Sequence, residues 1–184
     1  MEERSTAPKW LIITYAVIIT VLFLLAISEG IGQYFKASNQ SESAKLFKSG
    51  KEKANSKRYK EAIIDYDKAI SLDIKNVEYY CERGIANYEL KYFSNALKDF
   101  NRAIELDPNE LKSLYTRALL KKDLKDYKGS IVDYTKLIKL FPNESDCYRD
   151  RAFIKNKIND FEGSSKDYVK ADELETHYPS NYDD

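Results

Sequence analysis

The chain has 184 residues, enough for one domain and an appendage and too few for two ordinary domains. Charged residues make up 33% of it and cancel to a net charge of zero, so no global field points to nucleic acid or to acidic substrates. Six glycines and four prolines leave few helix breakers, while the lone His177 and two cysteines without a CxxC spacing give no basis for a zinc site or a disulfide framework.

Residues 1–9 form a short N-terminal tail. The run "WLIITYAVIITVLFLLAIS", Trp10 to Ser28, then carries no charge over 19 residues. As a helix it spans roughly 28 Å, close to the thickness of a bilayer's hydrocarbon core. Trp10 suits the headgroup layer, and Lys9 and Glu29 bound the run. The expectation is a single transmembrane helix over 10–28 and a single-pass membrane protein. The alternative is a signal peptide, with Ala26-Ile27-Ser28 as a small-x-small cleavage site and a secreted or periplasmic product. The length of the run and the diluting Glu2 and Glu3 favour the anchor. Flanking positive charges are nearly balanced, so the orientation stays open.

Residues 29–42, with two glycines and a polar end, read as a juxtamembrane linker. A basic segment follows: Lys45, Lys48, Lys51, Lys53, Lys57, Arg58 and Lys60 stand against one acid, Glu52. Most such runs are solvated faces; the functional reading is contact with anionic headgroups.

From residue 43 the sequence repeats every 34 residues without insertion or deletion. Small residues fall at Gly50, Gly84, Ala118 and Ala152, and again at Ala62, Ala96, Ser130 and Ser164. Aromatic columns run Tyr59, Phe93, Tyr127, Phe161 and Tyr66, Phe100, Tyr134, Tyr168. A further column is Ala69, Ala103, Leu137 and Ala171. Self-similarity at this period marks a helical solenoid. Ala96, Phe100 and Ala103 share one helix face, and "KYFSN" joins that helix to a preceding one over about 78–90 as an antiparallel pair. Asp107-Pro108 and Phe141-Pro142 stop the second helices.

With "RGIANYEL…YFSNALKDFNRAIELDP" the chain resembles the tetratricopeptide repeat family over residues 43–176. The resemblance implies an all-α solenoid of antiparallel helix pairs, with repeats at 43–76, 77–110, 111–144 and 145–176 and a flexible tail over 177–184. It departs from the family where an early Trp is usual, having Leu46, Tyr80, Leu114 and Tyr148.

Arg83, Arg117 and Arg151 each follow an aspartate 18 residues earlier on the preceding repeat. Asp65–Arg83, Asp99–Arg117 and Asp133–Arg151 are therefore expected to pair between repeats, the rival being pairing within one repeat. The apolar columns Ile63, Leu97, Ile131 and Ile70, Ile104, Ile138 turn polar at Ser165 and Asp172, as a terminal cap requires.

The family resemblance implies a concave surface of first helices that holds a peptide or partner protein. Its lining here would be Phe47, Lys51, Glu78, Cys81, Glu82, Ile85, Tyr88, Lys112, Tyr115, Leu119, Lys122, Arg149, Phe153 and Asn156. The family's carboxylate clamp is not expected: its positions hold Phe47, Lys51, Glu82, Lys112 and Thr116, of which only Lys112 fits. No P-loop, HExxH, nucleophile elbow or metal-spaced cluster occurs, so no enzyme activity, cofactor, metal or nucleic-acid partner is expected. The reading is a membrane-anchored interaction scaffold or assembly factor.

Overall fold

The structure, a computed structural model, describes the backbone of residues 9–177 and the side chains of residues 20, 21 and 23–176. Eight helices follow in order: α1 (Lys9–Asn55), α2 (Tyr59–Leu72), α3 (Val77–Glu89), α4 (Phe93–Leu106), α5 (Leu111–Asp123), α6 (Tyr127–Leu140), α7 (Ser145–Lys157) and α8 (Phe161–His177). The helix pairs of all four repeats are present, and the described residues contain no strand. Of the expected tails over 1–9 and 177–184, residues 1–8 and 178–184 lie outside the described residues, while Lys9 and His177 are the ends of α1 and α8.

The segment 29–42 is helix throughout, so it is no break between the apolar run and the repeats; α1 continues through it into the first repeat. Nothing lies within 4 Å of a side chain built at Gly30 or Gly32, so neither glycine marks a close packing point. The apolar run over 10–28 is also helical, but most of its side chains fall outside the described set. Among the described residues no helix is long and apolar enough to cross a membrane.

Within each repeat the small column lets two backbones approach, and the aromatic of the second helix fills the gap. Tyr66, Phe100 and Tyr134 are fully buried. A Cβ added to Gly84 would stand 2.6 Å from the Phe100 ring, which is why this position excludes a side chain. Where serine replaces alanine in the second helix, its hydroxyl is satisfied by the first helix: Ser130 donates to the Ala118 carbonyl at 2.7 Å and Ser164 to that of Ala152 at 2.9 Å.

The turn between the two helices also repeats. Lys57, Lys91, Lys125 and Asn159 take positive φ values of 59° to 63°. Each ends its helix in the left-handed conformation, and the next amide closes back on the last turn; Tyr92 N–H donates to the Asn87 carbonyl at 2.8 Å, and Asp126 N–H to that of Lys121 at 2.8 Å. This position favours glycine or asparagine, yet three of the four are lysine.

Among the described residues the first helices α1 and α3, and α3 and α5, approach one another, and no pair of second helices does so to a comparable extent. The free faces of the first helices are the surface that the repeat resemblance makes the inner one.

The cap is partial. Ser165 and Asp172 are exposed as expected. Tyr168 is 37% exposed and Phe161 63%, whereas Tyr66, Phe100 and Tyr134 are buried and Tyr59, Phe93 and Tyr127 half-buried. Among the described residues no helix packs beyond α8.

A candidate partner surface on the first helices

An arginine frame holds the inner surface in place. Arg83 lays its guanidinium on both oxygens of Asp99, at 3.1 and 2.6 Å; Arg117 does the same to Asp133, at 2.9 and 2.6 Å, and Arg151 to Asp167, at 2.8 and 2.7 Å. These pairs lie within a repeat, so the expected pairs Asp65–Arg83, Asp99–Arg117 and Asp133–Arg151 do not form. The contact to the preceding repeat is made by the remaining guanidinium nitrogen. It reaches Asp67 at 2.6 Å, Asn101 at 2.7 Å and Thr135 at 3.0 Å. These acceptors sit two residues beyond the expected aspartates, which turns them by roughly 200° around the helix. Asp65 instead faces its own first helix, taking Ser49 at 2.6 Å and Lys53 at 2.5 Å.

Each aspartate also meets a residue one turn beyond the arginine. Lys121 contacts Asp133 and Lys155 contacts Asp167, both at 2.8 Å, but Asn87 faces Asp99 at 3.0 Å. Burial pushes Asp167 upward, yet Arg151 and Lys155 outweigh it and hold the carboxyl below its usual range. At Asp99 burial prevails over Arg83 and the neutral Asn87, and the carboxyl lies above its usual range.

The fourteen expected lining residues divide. Phe47 and Cys81 are buried, which corrects their assignment to an open surface. Phe47 packs between Tyr66 and Tyr79, with ring centroids at 5.7 and 4.7 Å, and burial drives the Cys81 thiol up to about 12. Ile85 is half-buried against the Phe100 cluster. Lys51 pairs with Glu78 at 3.2 Å, Lys112 with Glu82 at 2.5 Å, and Arg149 with Asp146 at 3.1 Å and with Glu175. Tyr88 donates its hydroxyl to Asp123. Tyr115, Phe153 and Asn156 are exposed, while Leu119 and Lys122 are half-exposed.

One cleft of this surface lies between the third and fourth repeats. It encloses about 470 Å³ and is walled by Leu111, Tyr115, Leu137, Phe141 and Cys147, with Lys112, Glu144 and Asp146 beside it. Burial, with help from the nearby acids, pushes the Cys147 thiol up to about 11, so it is a neutral apolar wall rather than a nucleophile. Sequence reading placed only Lys112 and Tyr115 here. The signal for the others was the departure of Leu137 from its alanine column and of Phe141 from the position of Asp73 and Asp107.

The basic segment is largely answered by acids. Lys45 pairs with Glu42 at 3.8 Å, Lys51 with Glu78, Lys53 with Asp65 and Arg58 with Glu61, leaving Lys48, Lys57 and Lys60 without an ion-pair partner among the described residues. Along continuous α1, Lys45 stands roughly 25 Å beyond Ser28, the end of the apolar run. That exceeds a screening length of about 8 Å, so charge on headgroups at the end of the apolar run is screened from this segment.

Three tetratricopeptide-repeat family models match the chain, over residues 50–91, 77–110 and 111–144. Together they cover more than half of it, and the chain belongs to the tetratricopeptide repeat family. A search of curated protein sequences finds no match. Among solved structures, the chain is similar to the crystal structure of MamA, with 23% identity, a TM-score of 0.72, and coverage of 79% of this chain and 85% of that one. It is also similar to the Arabidopsis OM64 TPR domain, at 25% identity and a TM-score of 0.62, covering 65% and 98% of the two chains. A third likeness is the first TPR of Spaghetti (RPAP3) bound to the HSP90 peptide SRMEEVD, at 24% identity and a TM-score of 0.63, covering 65% and 95%. The family and the fold together define a protein-interaction module.

Proposed function

We propose that this chain is a membrane-anchored scaffold or assembly factor that holds a protein partner on the inner surface of its repeats. The observation that carries the interaction reading is the set of exposed first-helix side chains around Tyr115 and Phe153, at 36% and 45% exposure, on a surface otherwise knit together by ion pairs. Large apolar groups at such positions favour a partner that covers them. The RPAP3 likeness is to a domain bound to a peptide, which supports the class. It does not extend to the same ligand, because Glu82 would repel an acidic terminus at a clamp position.

The anchor reading rests on the described end of the apolar run. Val21, Phe23, Leu24, Leu25 and Ile27 are each at least 42% exposed. Nearly consecutive residues point to every side of a helix, so no single packed face would cover them, whereas lipid would. The deciding experiment takes the native protein from carbonate-washed membranes and from the soluble fraction and measures its intact mass and N-terminal sequence. A chain retaining residues 10–28 in washed membranes is expected. A soluble chain starting near Glu29 would overturn the anchor and make this an exported binding protein.

A further inference from the structure

We propose that the cleft between the third and fourth repeats receives a leucine or aromatic side chain from a protein segment that carries arginine or lysine beside it. This rests on the interaction-module reading and gives it a place and a partner chemistry.

Leu111 is 37% exposed, Tyr115 36% and Phe141 40%, all around one cleft of about 470 Å³. That is within the size range of pockets that bury a ligand group. Leu137 and Cys147 close its wall and are buried.

Asp150 accepts hydrogen bonds from Tyr115 at 3.3 Å and from Tyr134 at 3.0 Å, and no lysine or arginine among the described residues pairs with it. Glu144 beside the cleft likewise has no cation. Asp146 shares Arg149 with Glu175, and Lys112 is spent on Glu82. On α5 the uncommitted cation is Lys122, seven residues and roughly 10 Å from Tyr115. Two carboxylates, Glu144 and Asp146, thus border an apolar cleft, a third, Asp150, stands one hydrogen bond behind Tyr115, and the one cation on the cleft wall, Lys112, is held by Glu82. A cationic flank gains from these carboxylates, and an acidic flank is repelled by them.

The test presents the full-length chain, in detergent micelles, with immobilised degenerate nine-residue peptides. The central residue is fixed as Phe, Leu or Ser, and the flanks as Arg, Ser or Glu. Phe or Leu with Arg flanks is expected to bind at least ten-fold more tightly than the Ser-flanked set, with Glu flanks weakest. Asp150→Asn keeps an acceptor for both phenols while removing the charge, and is expected to abolish most of the Arg preference. Tyr115→Ala is expected to weaken Phe- and Leu-centred peptides at least ten-fold while the thermal transition persists. An equal or reversed charge order, or binding that survives both variants, would overturn the proposal. In that case, peptide-induced amide protection elsewhere on α3, α5 or α7 would leave the interaction reading standing. Absence of binding by every peptide, together with no partner crosslinked to any inner-surface position, would sink both.

Discussion

The second and third repeats are built on one frame and lined differently. In both, an arginine lies across an aspartate of the same repeat and reaches back to the preceding one: Arg83 to Asp99 and Asp67, Arg117 to Asp133 and Asn101. On the inner side, Cys81, Ala103 and Ser113 are buried and small, whereas their counterparts Tyr115, Leu137 and Cys147 border the cleft. A solenoid can thus open a site without disturbing the repeat, because the residues that set the spacing are not those that set the lining.

The largest effect should fall on the frame. Arg83→Ala leaves the buried Asp99 with no cation and should cost about 3 kcal/mol in denaturant unfolding, while Arg117→Ala leaves Lys121 on Asp133 and should cost less. A larger loss at Arg117 than at Arg83 would break the comparison. Gly84→Ala should come next, at about 1–2 kcal/mol: the added Cβ meets the Phe100 ring at 2.6 Å and Asp99 Cβ at 3.2 Å, which outweighs the helix propensity gained. The counterpart Ala118 already accommodates its methyl group.

A third contrast is electrostatic. Asp133 has Lys121 as a second cation, but Asp99 has only the neutral Asn87. Asn87→Lys should raise stability at neutral pH, and the gain should vanish as Asp99 protonates. The signs differ along the chain. Asp167, held low, contributes stability that is present above the usual carboxylate range and is lost as pH falls through its folded value. Asp99, held high, carries a penalty above its folded value that is relieved below it. Unfolding curves of Asp167→Asn and Asn87→Lys across the acid range check both. The smallest effect is at the turn: Lys125→Gly should add about 0.5–1 kcal/mol by relieving its φ of 62°, read as a small rise in Tm.

The period of 34 made the helix pairs legible, since five columns in register leave little freedom to the packing. The arginine frame was only half legible. The columns named the residue types, but a spacing of −18 and one of +16 are equally regular, and only the rotation of the second helix decides between them. The lining was least legible. Family positions put Phe47 and Cys81 on the surface, yet two neighbouring rings bury the first, and the second is 1% exposed. Phe141 and Glu144 entered from loops, where no helical period speaks. Over 29–42 two glycines and polar residues suggest a break, yet α1 runs through them.

The most direct test of the central claim is site-specific photocrosslinking in the native membrane setting, with a benzoylphenylalanine placed at Tyr115 or at Val132. Val132 lies on a second helix and is 65% exposed, so accessibility is not the variable. The account predicts one discrete protein adduct from position 115 and none of that partner from position 132. The same adduct from both positions, or from position 132 alone, would contradict the assignment of the inner surface as the partner site.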